Sequence, residues 1–310
     1  MSWALLALAG VVGALILVYI LTNRETITAE TFRQTSGYEA LPLSDGVTAY
    51  RDLGPRDRPA LILIHGATLG SLAYEAYYAP LIEGGYRVIA FDAYGRGFSD
   101  RIKSPLGIDC MRRQLLELLD ELKIERATLY GISLGGAVAA RFAAAHPERV
   151  TAVGFQVPLI QGANSPLLAI GRIPFLNRFL MRVILTPKAI ERGEAVDIND
   201  AQGQRVFQHF REQFTVIGTE KCLLSMMTGD ALGDRLPDHQ RIAQAGIPVQ
   251  FAYATDDPEI EPGLVRQAIS AYRGADVHAY TGGHFFSTGR HDELTRKLLD
   301  FLGQTPASQD

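Results

Sequence analysis

The chain has 310 residues, of which 47% are hydrophobic, and its formal net charge is −4. That length suffices for one large α/β domain with insertions or for two small domains. Because the charges are scattered without a basic excess, the composition excludes the electrostatic pattern of a nucleic-acid-binding protein.

The N-terminal segment from Trp3 to Leu21 contains no charged residue. As a helix it would rise roughly 28 Å, about the thickness of the hydrocarbon layer of a bilayer. No Lys or Arg precedes it and no small-residue cleavage site follows it, which favours an uncleaved anchor over a signal peptide. We therefore predict a transmembrane anchor over residues 1–24 and a polar tether over residues 25–40. Arg24 and Arg33 follow the span, which predicts a cytoplasmic catalytic domain by the positive-inside rule.

Beyond residue 40, short apolar runs alternate with helical patterns. The runs cover residues 61–65, 87–91, 127–130, 150–155, 248–253 and 276–280. Continuous apolar runs of this length are typical of strands that are buried on both faces of a parallel sheet. The alternation predicts a doubly wound, mostly parallel α/β fold with its core in residues 41–157 and 248–310.

The alternation is interrupted over residues 158–247, where amphipathic helical patterns replace the strands. An insertion of this size between two core strands predicts a helical cap over one end of the sheet. Its apolar residues could line a route for a lipid-like substrate, or they could pack against the core as amphipathic stripes usually do. The sequence leaves both interpretations open.

A serine lies between glycines where a predicted strand meets a predicted helix, in Gly131-Ile132-Ser133-Leu134-Gly135. A G-x-S-x-G turn in this context holds its serine exposed and strained at the carboxyl edge of the sheet. The Leu134 amide, at the helix N-terminus, would point toward an oxyanion that forms at the serine. Ser133 is therefore the candidate nucleophile.

A serine nucleophile needs a histidine base, and the base needs an orienting carboxylate. His284 follows two glycines just beyond the last predicted strand, which makes it the best placed of the seven histidines. Asp256 and Asp257 are adjacent and both follow the run at 248–253, so only one of them should reach His284. Pro258 restricts the backbone of the residue before it, which favours Asp257 without excluding Asp256.

A second oxyanion donor is expected in the turn after the first buried strand, "LILIHGATLG". The Ala67 amide is the candidate, and it would share the oxyanion with the Leu134 amide. His65 in the same turn is predicted to have a structural role.

Five blocks together resemble the α/β-hydrolase superfamily in order and spacing, over about residues 41–302. They are "LILIHG", "VIAFDAYGRGFSD", "LYGISLGGAVAARFAAAHPERV", "PVQFAYATDDPEIEP" and "GGHFFS". The resemblance implies Ser133 as nucleophile, His284 as base and Asp257, the aspartate before proline, as acid. It also implies acyl transfer to water with no metal and no organic cofactor.

These expectations describe a membrane-tethered serine hydrolase that cleaves carboxylic esters, with lipid esters such as monoacylglycerols among the candidates. Two alternatives stay open: a C–C bond hydrolase with the same triad, and a non-catalytic membrane-tethered binding protein on the same fold. The expected partners are a small-molecule or lipid ester and the membrane, and no nucleic acid.

Overall fold

The computed structural model describes residues 3–162, 173, 175–194 and 201–305. Its centre is an eight-stranded sheet in the spatial order β1-β2-β4-β3-β5-β6-β7-β8. The strands are β1 (Glu39–Pro42), β2 (Val47–Leu53), β3 (Ala60–Ile64), β4 (Arg87–Phe91), β5 (Ala127–Ile132), β6 (Val150–Gln156), β7 (Val249–Ala254) and β8 (Asp276–Tyr280).

Strands β3 to β8 form a parallel block, as the apolar runs predict. In β3 and β4 every residue is buried, because helices cover both faces of the sheet. The strands β1 and β2 pair antiparallel at one edge and were not predicted. The residues of β1 are largely exposed, and β2 includes Thr48, Arg51 and Asp52, so both strands lack the continuous apolar run that identifies the others.

Helices fill the connections between strands and the region inserted after β6. They are α1 (Trp3–Leu21), α2 (Ala29–Arg33), α3 (Glu75–Glu83), α4 (Ile108–Glu121), α5 (Leu134–Ala145), α6 (Leu176–Leu180), α7 (Thr186–Glu194), α8 (Ala201–Glu212), α9 (Thr219–Thr228), α10 (Leu236–Gln244), α11 (Pro262–Ile269) and α12 (His291–Gly303). A π-helical turn, Met181–Leu185, joins α6 to α7.

The inserted region, helices α6 to α10, corresponds to the predicted cap, of which residues 163–172, 174 and 195–200 lie outside the described residues. It contacts the carboxyl side of the sheet through polar bonds. Gln213 donates to the carbonyl of Thr68 at 2.7 Å, and its own side-chain oxygen accepts from the Gly97 amide at 3.3 Å. The cap therefore touches the loops that follow β3 and β4.

Helix α1 has 19 residues and a mean hydropathy of 2.8, so it is long and apolar enough to cross a membrane. No residue of this helix is buried against the rest of the chain. Apolar side chains that find no protein partner need an apolar environment of another kind. The predicted tether that follows is ordered, since it contains α2 and enters β1.

Candidate active site

Ser133 lies between β5 and α5 with a backbone conformation that L-residues rarely adopt, φ +54° and ψ −118°. Hydrogen bonds fix this conformation on both sides of the residue. The Ser133 amide donates to the Gln156 carbonyl, and the Ser133 carbonyl accepts from the Leu159 amide, each at 2.9 Å. Strain held by surrounding bonds is characteristic of functional sites.

The glycines around Ser133 are required by the close approach of strand and helix. A Cβ on Gly135 would stand 1.9 Å from the carbonyl oxygen of Ile64, and one on Gly131 would stand 2.4 Å from the carbonyl oxygen of Gly135. No side chain could fit at either position. This explains why the pattern in the sequence specifies the turn.

His284 and Asp257 are in direct contact, as predicted. The His284 Nδ1–H donates to Asp257 Oδ2 at 2.8 Å, and both side chains are largely buried. Because an ionised carboxylate can only accept, Nδ1 carries a proton, and in the neutral form of the ring Nε2 is the acceptor. The two residues follow neighbouring strands, β7 and β8, at the edge where β5 also ends.

The carboxylate of Asp257 is held by its own loop. Its Oδ1 accepts from the amides of Glu259 at 2.8 Å and Ile260 at 3.1 Å. Burial by itself raises the pKa of Asp257, but the hydrogen bonds from His284 and the two amides outweigh it, and the pKa lies below its usual value. The acid is therefore ionised at neutral pH.

Asp256 has a different role from its neighbour. Its exposed carboxylate accepts from the amides of Gly282 and Gly283, at 3.1 Å each at the closest. These bonds lower the pKa of Asp256. Asp256 thus orders the two-glycine loop that presents His284, a role that the sequence did not predict.

The turn after β3 lies beside Ser133, since a Cβ on Gly66 would stand 3.4 Å from Ser133 Cβ. Leu134 is the first residue of α5, so its amide has no acceptor within the helix. Within the described part of the chain the Ala67 amide donates no hydrogen bond. Both predicted oxyanion donors therefore remain available near the serine.

His65 fixes that turn. Its Nε2 accepts from the Ala93 amide at 2.8 Å and its Nδ1 donates to the Gly66 carbonyl at 2.7 Å. Burial lowers the pKa of His65, so the ring is neutral. With both nitrogens engaged, His65 has the structural role that the sequence predicts.

Arg96 is a site residue that sequence reasoning missed. It is 2% exposed, and its guanidinium donates to the carbonyl of Ala67, to that of Gly95 and to the Met226 sulfur. Burial lowers the pKa of Arg96 to about 10. The buried guanidinium therefore holds the carbonyl of Ala67, the residue whose amide is the predicted oxyanion donor, and fixes the turn after β3. Its signal in the sequence is an arginine between two glycines in "YGRGF".

The three predicted triad residues are not all in contact. Within the described part of the chain no hydrogen bond joins Ser133 Oγ to His284 Nε2, while the acid–base pair is formed. Such catalytic bonds are often long in free enzymes and shorten when substrate binds. Across the same described ranges, no group of three or more His, Cys, Asp and Glu side chains is arranged to hold a metal ion.

Comparisons with known proteins agree with this fold. A family model described as the alpha/beta hydrolase fold matches residues 59–180. A 2-hydroxy-6-oxononadienedioate/2-hydroxy-6-oxononatrienedioate hydrolase of Paraburkholderia phymatum is 40% identical over 265 residues, which cover 82% of this chain and 90% of that protein. A putative non-heme haloperoxidase of Mycobacterium phage D29 is 37% identical over 115 residues, which cover 37% of this chain but only 41% of the relative.

Among solved structures, the enol-lactonase of Burkholderia xenovorans superimposes with a TM-score of 0.72 at 22% identity, over 86% of this chain and 100% of its own. At that identity the likeness concerns the fold alone. Together with the long match to the Paraburkholderia protein, it identifies the class of protein. The chain belongs to the α/β-hydrolase superfamily, and it is a hydrolase.

Proposed function

We propose that this hydrolase cleaves carboxylic esters, with Ser133 as nucleophile, His284 as general base and Asp257 as the acid that orients it. The observation that carries the proposal is the 2.8 Å bond between His284 and a buried Asp257, at the sheet edge where Ser133 lies. If the His284–Asp257 pair only stabilised the fold, it would not need a strained serine turn and two available backbone amides beside it.

In this mechanism His284 Nε2 removes the proton from Ser133 Oγ as the oxygen attacks the ester carbonyl carbon. The carbonyl oxygen becomes the oxyanion and accepts from the amides of Ala67 and Leu134. His284 then gives its proton to the leaving alcohol, and the acyl group stays on Ser133. A water molecule, deprotonated by His284, attacks the acyl-enzyme and releases the acid.

The proposal includes membrane attachment through α1, with the catalytic domain on the cytoplasmic side. Its support is a 19-residue apolar helix without buried residues, followed by Arg24 and Arg33. Exposed apolar side chains on the cap, such as Phe175 and Leu176, favour a lipid ester such as a monoacylglycerol as substrate.

A fluorophosphonate probe tests the nucleophile, because it reacts only with an activated serine. We expect the full-length chain in detergent micelles to be labelled, Ser133→Ala to be unlabelled, and Ser270→Ala, which alters an exposed serine, to be labelled like the parent. A folded parent chain that takes no label would favour the non-catalytic binding protein. Labelling that survives in Ser133→Ala would overturn the assignment of the nucleophile.

A chain-length series of p-nitrophenyl esters tests the substrate class. Rising kcat/KM from acetyl to long acyl chains supports a lipid ester, and activity restricted to short chains contradicts it.

A second candidate, C–C bond hydrolysis, is favoured by the 40% identity to the hydrolase of 2-hydroxy-6-oxononadienedioate. Turnover of that conjugated substrate can be measured by the loss of its absorption band. A kcat/KM for this substrate that exceeds the kcat/KM for every ester would support the second candidate.

A further inference from the structure

The segment that follows α1 is bound to the cap by backbone hydrogen bonds. The amides of Thr26 and Ile27 both donate to the Thr215 carbonyl, at 2.7 and 3.0 Å. The Ile217 amide donates in return to the Ile27 carbonyl at 2.9 Å. This two-way pairing resembles a short piece of sheet, so the position of α1 relative to the cap is fixed.

A buried ionic cluster strengthens the same junction. Arg182 contacts Glu220 at 2.8 Å and Glu25 at 3.7 Å, and the Glu220 amide donates to Glu25 at 3.0 Å. The Arg182 guanidinium also lies over the ring of Tyr19, 4.2 Å from its centroid. Because Tyr19 belongs to the last turn of α1, the π-helical turn that contains Arg182 lies at the end of the apolar helix.

The cap helix at this junction presents an apolar face to its surroundings. Leu176, Leu180 and Ile184 recur at intervals of four residues, which places them on one side of the helix. Leu176 is 41% exposed and Ile184 37% exposed, although an apolar side chain gains by leaving water. Exposed basic side chains lie nearby in the cap, Arg178 on the opposite side of the same helix, Lys188 one turn after Ile184 and Lys221 on α9.

We propose that this face, Leu176, Leu180 and Ile184, is a membrane-contact surface that inserts into the interfacial layer of the bilayer spanned by α1. The inference rests on the proposed anchoring. If α1 spans the bilayer, Tyr19 lies at the interface where tyrosines are enriched, and Arg182 stacked on it brings Ile184 to the same depth. Basic side chains beside an apolar helical face are the arrangement of helices that lie in the plane of the interface. The cap is then a second, peripheral contact with the leaflet that holds the substrate.

Single cysteine variants of the full-length chain, labelled with an environment-sensitive fluorophore, test this surface. The native Cys110 and Cys222 are buried, so the introduced thiol is the one that reacts. Ile184→Cys is compared with Val277→Cys, which is 40% exposed on the edge strand β8. In phosphatidylcholine vesicles that contain nitroxide-labelled lipids, we expect the label at position 184 to shift its emission to the blue and to be quenched. The label at position 277 should show neither change.

A third variant, Leu15→Cys in the middle of α1, separates the two proposals. Quenching at position 15 without quenching at position 184 overturns the membrane-contact surface and leaves the anchor intact. No quenching at position 15 overturns the anchor, and the surface with it. Energy transfer between labels at position 184 on two copies, with no quenching by lipid, would assign the face to a dimer and also overturns the proposal.

Discussion

Two buried charged clusters differ in how their carboxylates are satisfied. At the candidate active site, Asp257 accepts from two amides of its own loop and from His284, 27 residues later. At the junction between α1 and the cap, Glu25 and Glu220 share one guanidinium, that of Arg182, which is far from Glu25 in the sequence. The Asp257 carboxylate would keep two amide bonds if its ionic partner were removed, and Glu25 would keep one, from the Glu220 amide. Among the described residues, the Glu220 carboxylate accepts a hydrogen bond from Arg182 alone.

This difference predicts that changes at the two clusters will have different consequences. Substitution at the active-site cluster should impair catalysis and leave the fold in place, because the backbone still satisfies the loop. Substitution at the junction should unfold the cap and affect catalysis only through the loss of folded protein. Four experiments sharpen this comparison.

The largest effect is expected from Asp257→Asn, with Asp256→Asn as the matched control at the neighbouring position. An asparagine at position 257 can donate to the ring and stabilise the wrong tautomer of His284, so kcat should fall about 10⁴-fold. Asp256→Asn weakens only the bonds to Gly282 and Gly283, and should lower kcat by no more than about tenfold.

Steady-state ester hydrolysis gives kcat for both variants, and circular dichroism shows whether each variant is folded. If the two variants lose activity equally, the structure's distinction between the two aspartates is wrong. If Asp256→Asn loses more activity than Asp257→Asn, the catalytic acid is Asp256 and not Asp257.

The next effect is on stability, and it comes from Arg182→Met. Removal of the guanidinium leaves the buried Glu220 carboxylate without its hydrogen-bond donor and Glu25 without its ion-pair partner, which should lower the free energy of unfolding by about 3–5 kcal/mol. Arg178→Met, an exposed arginine on the same stretch of helix, should change it by no more than about 0.5 kcal/mol.

Urea unfolding of the full-length chain in micelles, followed by far-UV circular dichroism, gives both values. The double variant Arg182→Met/Glu220→Gln should recover part of the loss, because one buried carboxylate is neutralised. If Arg182→Met is as stable as the parent, the cluster of Glu25, Arg182 and Glu220 contributes nothing to the docking of the cap.

The third effect concerns the oxyanion turn, where Arg96 holds the Ala67 carbonyl. Arg96→Met should lower kcat about tenfold with little change in KM. The Ala67 amide is still present in this variant, but Arg96 no longer holds the Ala67 carbonyl that fixes its direction. Arg101→Met is the control. Arg101 is half-buried, and burial lowers its pKa to about 10 as well, but it donates to the carbonyls of Gly97, Ser99 and Arg96 and not to that of Ala67.

Both variants remove a buried guanidinium, so both should lower stability. Only the Arg96 variant should lower kcat of the folded enzyme, measured against active sites titrated with the fluorophosphonate. Equal kcat values for the two variants would assign Arg96 a merely structural role.

The fold and the predicted triad were accessible from the sequence because their determinants are local. Apolar runs define the parallel strands, and Gly131 is fixed by backbone contacts with Gly135 and Gly136, a few residues along the chain. Gly135 contacts the distant Ile64, but the G-x-S-x-G spacing identifies both glycines in the sequence. The partner of His284 could be narrowed to two adjacent aspartates, and the proline after Asp257 favoured the one that the structure brings to the ring.

The junction between α1 and the cap was inaccessible for the opposite reason. Glu25, Arg182 and Glu220 are ordinary surface residue types with no motif, and only the three-dimensional docking brings them together. The sequence therefore predicted a polar tether where the structure has a bound segment. The role of Arg96 was not predicted for the same reason. The burial of an arginine without a carboxylate partner cannot be inferred from its neighbours in the chain.

The last effect is a pH dependence of stability that comes from His239, on α10. Its ring is fully buried against Phe155, Phe251 and Tyr272, and burial lowers its pKa to about 3. In the unfolded chain the pKa of histidine is about 6.5. The folded state therefore resists protonation, and its stability is complete above pH 6.5 and lost progressively as pH falls toward 3, because the unfolded state takes up the proton first.

His239→Gln removes this titration and leaves His65 and His209, whose pKa values are also lowered by burial, in both proteins. The stability advantage of the parent over the variant should therefore shrink by about 2 kcal/mol between roughly pH 7.5 and pH 5. Urea unfolding at the two pH values, under otherwise equal conditions, measures the change. A pH-independent difference would mean that the folded protein takes up a proton at His239 as readily as the unfolded chain does, which the apolar surroundings of the ring argue against.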